Sequence, residues 1–127
     1  MFDEADITHA QQTRAHFTQT LKQVFAQVDF IATPTSGLTA PVIDNRTVAH
    51  GKSDLGATFE MMRFAFAANL VGIPAISMPA GYTKNGLPVG FQLMARPWCE
   101  HQLIEVACVA RQWTTILKPN IWTDLLA

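Results

Sequence analysis

Residues 72–94, GIPAISMPAGYTKNGLPVGFQLM, place four glycines, three prolines and an Asn-Gly pair inside an otherwise apolar stretch. A long helix is excluded there, because proline lacks the amide donor and glycine costs backbone entropy. What remains are two short strand-like runs, Ala75-Ile76-Ser77-Met78 and Val89-Gly90-Phe91-Gln92-Leu93, joined by Tyr82 to Gly86. Asn85-Gly86 is the dipeptide that most readily takes positive φ, which a tight hairpin demands. Pro74 and Pro79, having no amide donors, are expected to mark where sheet pairing starts and stops.

The rest of the chain must be arranged around that hairpin. Residues 4–28 predict an amphipathic helix whose face carries Phe17, Leu21, Val24, Phe25 and Val28, spaced at close to 3.6 per turn. Asp29-Phe30-Ile31-Ala32-Thr33 reads as a short buried strand stopped by Pro34. Residues 36–56 have no period and form a long connection, a length that in compact domains marks function or disorder. Helix returns over 57–71 through Phe59, Met62, Phe66 and Leu70, and Gly72 and Pro74 end it. Glu100 to Trp113 predicts a last helix with Leu103, Ile104, Ala107, Ala110 and Trp113 inward.

That order (helix, strand, loop, helix, hairpin, helix) fits a mixed α/β sandwich whose helices need a sheet larger than three strands. Composition points the same way. Charged residues make up 15% of the 127-residue chain and apolar residues 49%, against about 25% charged in an average soluble domain. A short chain has much surface per volume and should carry more charge, so this one reads as a piece of a larger core. Its net charge of −1 gives nothing to recruit nucleic acid or anionic membranes by charge alone. The apolar run 64–83 is interrupted by Asn69, Gly72, Pro74 and Pro79, too often for a spanning helix. No secretory leader pattern opens the chain, and Cys99 and Cys108 read as free thiols, so a cytoplasmic setting is expected, with membrane association left open.

Chemistry-bearing patterns are weak. Gly51-Lys52-Ser53 matches the end of a phosphate-binding loop, but the upstream glycine position holds Arg46. His9 and His16 lie on one helix face and Cys99-Glu100-His101 forms a polar cluster, yet no three ligands converge, so no metal is expected. Ser36, Ser53 and Ser77 lack a nucleophile-elbow setting, and Ser77 reads as a hydrogen-bonded core hydroxyl within a strand. Lys22, Lys52, Lys84 and Lys118 lie on polar faces or in loops, none desolvated enough for base work. Read from its residues alone, the chain carries no catalytic constellation.

Several separate blocks do resemble a known family. Asp29 to Thr35, Ala40-Pro41, Asn69 to Pro79, Gly86 to Leu93 and Glu100 are similar, in order and spacing over residues 28–113, to the C-terminal part of amidase-signature hydrolases. Within that family, Gly51 to Leu55, Met62-Arg63-Phe64 and Arg96-Pro97-Trp98 most resemble plant-type fatty acid amide hydrolases, and the A subunits of amidotransferases acting on misacylated tRNA share the other blocks. The resemblance implies the C-terminal part of an α/β/α sandwich with a mixed sheet, residues 1–127 being one portion of a single amidase domain. It also implies a Ser nucleophile, a Ser in a cis peptide and a Lys base, carried by a Gly/Ser-rich region and its upstream strand N-terminal to the matched segment. No two of the seven glycines here are adjacent, so that region is absent from this chain.

By the same resemblance, the chain is expected to be inactive alone and to work with the N-terminal remainder of an amidase on a small apolar amide. No cofactor, metal or nucleic acid is implied, and the low charge and unmatched helix faces make a homo-oligomer possible for the isolated chain. The positions matching Thr58, Phe59 and Met62 border the substrate in the plant-type relatives. Phe59 stands where a smaller polar residue is usual, which implies a shorter or narrower pocket. Phe2 is added as a weaker candidate on residue type alone. Plain core packing is the competing expectation for Phe59 and Met62. Other readings are an amidotransferase A-subunit piece and a non-catalytic module that binds a small apolar ligand or a partner chain.

Overall fold

The computed structural model describes residues 2–117. Lys118 and the apolar tail beyond it lie outside the described residues. The first helix, α1, runs Glu4–Phe25 and begins in a reciprocal cap: Asp6 N–H donates to the Asp3 carboxylate (2.8 Å) and Asp3 N–H to that of Asp6 (3.1 Å). Of its apolar face only Phe25 is buried, Phe17 and Leu21 are half-buried and Val24 is exposed. Val28 lies past the helix end and is also exposed, so the face is shorter than its spacing predicts. α1 touches the third helix, α3 (Ala65–Val71), where Arg14 Nε donates to the Leu70 carbonyl (2.9 Å) at that helix's C-terminal end.

Three strands form one antiparallel sheet: β1 (Phe30–Pro34), β2 (Ala75–Tyr82) and β3 (Pro88–Ala95), in the order β1-β3-β2. With β3 central, β1 and β2 each have one strand neighbour among the described residues. β1 is consequently half-exposed rather than the buried strand its sequence suggests. Pro34 does not stop β1; it is the last residue of the strand, opposite Phe91, which an edge strand tolerates. Pro79 does not stop β2 either. A bulge after it takes up one extra residue, and pairing resumes at Gly81↔Val89 and continues to Tyr82↔Pro88.

The hairpin turn differs from the tight two-residue form. Gly86 N–H donates to the Thr83 carbonyl (2.9 Å) and Thr83 N–H to that of Leu87 (2.8 Å), while Gly86 alone takes positive φ (77°). Asn85 stays on the ordinary side, giving a turn followed by one left-handed glycine, the longer of the common hairpin closures. The Thr83 hydroxyl accepts from Leu87 N–H (3.1 Å) and ties the loop.

One face of the sheet carries Phe30, Ile76, Met78, Phe91, Leu93 and Ala95, and α4 (Glu100–Ala110) packs there through Leu103, Val106, Ala107 and Ala110. Those four fall at i, i+3, i+4 and i+7, a single stripe. Ile104 is one residue off it and 58% exposed, contrary to its expected inward place. Trp113 also points outward: α4 ends at Ala110 and a 3₁₀ turn, Arg111–Trp113, changes the rotation per residue. Thr114 Oγ1 then donates to the Pro79 carbonyl (3.2 Å) and Leu117 N–H to the Tyr82 hydroxyl (2.7 Å), so the chain runs back alongside β2.

The helix expected over 57–71 is two helices. α2 spans Leu55–Met62, α3 starts at Ala65, and Arg63-Phe64 form the break. Its cause lies outside the helix. Gly37 N–H donates to the Glu60 carbonyl (3.0 Å), the acceptor that an unbroken helix would offer to Phe64 N–H, and Arg63 N–H reaches it only at 3.4 Å. Gly72 closes α3 in the left-handed conformation (φ 71°), its N–H on the Ala68 carbonyl (2.8 Å), as its place before Pro74 predicts.

Candidate functional site

α2 begins on a polar cap. Asp54 accepts from Ala57 N–H (3.0 Å) with its side chain, and its carbonyl accepts from the Thr58 hydroxyl (2.9 Å). Lys52 Nζ lies 3.1 Å from the same carboxylate, which gives the Gly51-Lys52-Ser53 lysine a partner within its own loop. The Ala57 amide first, and then the Lys52 ammonium, hold the Asp54 carboxyl below its ordinary range. A carboxyl lowered in the folded state steadies the helix start above about pH 4, and that contribution is lost as pH falls below it. The Ala57 amide resonance is therefore expected to titrate with a midpoint below that of a free aspartate, and Asp54→Asn should abolish this titration while keeping the helix. An unchanged Ala57 titration in Asp54→Asn would remove Asp54 from this role.

The rest of α2 is apolar and uncovered. Leu55, Phe59, Met61 and Met62 are all exposed large side chains, and no residue of this eight-residue helix is buried. Core packing of Phe59 and Met62 is thus not supplied by the described residues. The three expected substrate residues do not share one surface. Thr58 faces the 41–54 connection, lining a cavity of about 280 Å³ with Val42, Ile43, Ala57 and Met61. Phe59 leans the other way, its ring 6.5 Å from that of Phe66 in α3 and tilted by 45°. Met62 stands 42% exposed at the end of α2, outside that cavity lining. Phe2, before α1, is exposed and lines neither that cavity nor the cleft between α1 and α3.

Phe66 carries the apolar surface onward. With Ala67 and Leu70 it forms one wall of that open cleft, of about 700 Å³, opposite Thr13, His16 and Phe17 of α1. A smaller cavity of about 190 Å³ lies between β2 and α4 and is bounded by neither α2 nor α3. On the sheet, the Ser77 and Thr35 hydroxyls are 2.6 Å apart, so Ser77 is hydrogen-bonded as its sequence context predicts, though exposed rather than in the core. Gly90 lies beneath them, and a Cβ there would sit 2.7 Å from Thr35 Oγ1 and displace that side chain. Ser36 Oγ donates to the Leu38 carbonyl (2.9 Å). Neither serine is bonded to a base. Among the described residues no three His, Cys, Asp or Glu side chains are grouped to hold a metal ion. No helix among them is long and apolar enough to cross a membrane.

A family model described as Amidase matches residues 1–104. This chain belongs to the amidase family. The match takes in α1, which lies outside the blocks that carry the sequence resemblance. A fatty acid amide hydrolase of Arabidopsis thaliana is 41% identical over 126 residues, 98% of this chain and 21% of the relative. The crystal structure of the glutamyl-tRNA(Gln) amidotransferase A subunit of Thermotoga maritima is 36% identical, with a TM-score of 0.69 over 82% of this chain and 22% of that one. A bacterial aryl acylamidase of the amidase signature family matches with a TM-score of 0.67 over 87% of this chain and 23% of that one, and at 20% identity it shows the fold alone. This chain therefore spans about a fifth of the length of the amidases it matches, and its three-stranded sheet is part of the amidase fold.

Two residues next to this site are not singled out by the sequence. Met61 joins Thr58 on one surface, and the i, i+3 spacing on α2 is a signal that could have found it. Gln92 is buried at the centre of the sheet, which becomes visible only once β1 is known to pair on its other side.

Proposed function

We propose that this chain supplies an acyl-pocket wall to a serine amidase that hydrolyses linear, apolar, fatty-acyl amides. The observation that carries the reading is the bare apolar surface of α2, running through Phe59 and Phe66 toward the cleft against α1. This chain leaves that surface to be covered by the remainder of the protein and its substrate, and it suits a flexible acyl chain, because methionine adapts its shape and phenylalanine offers large apolar area. The 41% identity to a plant fatty acid amide hydrolase, over nearly the whole chain, supports the same substrate class. Phe59 and Met62 are the proposed substrate-facing residues on this surface, with Thr58, which opens onto the 41–54 cavity, a separate contributor and Phe2 a weaker one.

In this reading the serine nucleophile, the cis-peptide serine and the lysine base come from the remainder of the protein. The nucleophile attacks the amide carbonyl, the amine leaves with a proton delivered through the lysine, and water releases the acid from the acyl-enzyme. This chain contributes apolar binding and no proton transfer. With the full-length protein, kcat/KM is expected to rise from butyryl through lauroyl to oleoyl amides, and the chain alone is expected to be inert on all of them. A flat profile, or glutaminase activity that appears only with partner subunits, would overturn the fatty-acyl reading. The second outcome would favour the amidotransferase reading.

A further inference from the structure

We propose that Gln92 is a positioning residue that sets the depth of the acyl pocket by holding the break between α2 and α3. The inference rests on α2 being the pocket wall.

Gln92 lies in the middle of the central strand, 8% exposed, in register with Thr33 on one side and Ser77 on the other. Its amide nitrogen donates to the Phe64 carbonyl (3.1 Å) and reaches the Thr33 hydroxyl (3.3 Å). A carbonyl only accepts, so the amide must present its nitrogen to Phe64. Phe64 is one of the two break residues, and it caps α3 without any side-chain hydrogen bond of its own.

A second grip acts one turn earlier. Gly37, just past β1, donates its N–H to the Glu60 carbonyl (3.0 Å), and a Cβ at Gly37 would overlap that oxygen. Two backbone carbonyls, at Glu60 and Phe64, are therefore held by donors from the sheet and its exit loop. Both lie at the end of α2 that carries Met61 and Met62. Within this chain α2 buries no residue, so these two polar tethers are what the chain itself supplies to set where the apolar side chains of α2 sit relative to the sheet. Catalytic sites respond to small misplacements of their supports, and a binding wall does so according to how much of the ligand it touches.

The test uses the full-length enzyme and an acyl ladder of butyryl, lauroyl and oleoyl amides. Gln92→Met keeps length and volume while removing the donor. It is expected to raise KM for the two long amides about tenfold and to leave kcat and KM for butyryl amide near wild type. Gly37→Ala, which displaces the Glu60 carbonyl, is expected to shift the chain-length profile as well, and it carries the test if Gln92→Met does not fold. Met62→Trp serves as the control for the pocket itself. If Met62→Trp changes the profile while Gln92→Met and Gly37→Ala leave it unchanged or lower all substrates equally, the positioning role is overturned and the pocket reading stands. If Met62→Trp also spares the profile, the pocket reading fails and this inference falls with it.

Discussion

Met62→Trp in the full-length enzyme is expected to lower kcat/KM for lauroyl and oleoyl amides by about 10- to 100-fold and to change that for butyryl amide little. Met62 is 42% exposed on a helix that buries nothing, so space exists for a larger side chain without disturbing this chain's own core. Indole is larger and stiffer than the methionine thioether, and it would occupy volume that the far end of a long acyl chain needs. A short acyl group would not reach it. The competing outcome has a different signature. If the remainder of the protein packs on Met62, the extra volume strains a filled core and costs about 1–3 kcal/mol of stability whatever the substrate. Kinetics across the acyl ladder, read beside the melting temperature, separates the two. An equal loss on short and long amides with a lowered Tm would assign Met62 to the core.

Leu103→Ala is expected to destabilise the chain by about 2–5 kcal/mol. Leu103 is 2% exposed, at the centre of the cluster formed with Met78, Leu93 and Ala95 between α4 and the sheet. Truncating it removes favourable burial and leaves a cavity that the β3 backbone cannot collapse into. Seven apolar residues form the buried core among the described residues, a small set for a chain of this length. Small domains are stable by only about 5–15 kcal/mol, and an incomplete fold has less in reserve. Isolated Leu103→Ala should therefore show a strongly weakened or absent cooperative transition by circular dichroism. Ile104→Ala, at the neighbouring 58% exposed position, is expected to fall within about 0.5 kcal/mol of wild type. Comparable losses at both positions would mean that α4 buries a different face.

How the sequence and the structure divide is clearest in the same elements. For α4 the sequence places the helix and most of its stripe, but it cannot tell Ile104 from Leu103, because both are aliphatic and adjacent. For the hairpin the turn residues and both strands are legible, since turn chemistry acts within a few residues. The bulge after Pro79 is not, because it depends on how β2 meets β3. In the candidate site, Thr58, Phe59 and Met62 are suggested by residue type and resemblance. That Thr58 opens onto the 41–54 cavity while Phe59 leans toward Phe66 is a property of the folded chain.

By itself the sequence determined where helical and extended segments lie, the glycine that closes the hairpin and the one that ends α3. Those features are settled by periodicity, backbone freedom and composition, all readable over a few neighbouring residues. Only the tertiary structure decided that the helix through residues 57–71 breaks. The Glu60 carbonyl is taken by Gly37 and the Phe64 carbonyl by Gln92, which is 28 residues away in sequence. A helix's own pattern carries no sign of donors that arrive from elsewhere in the fold.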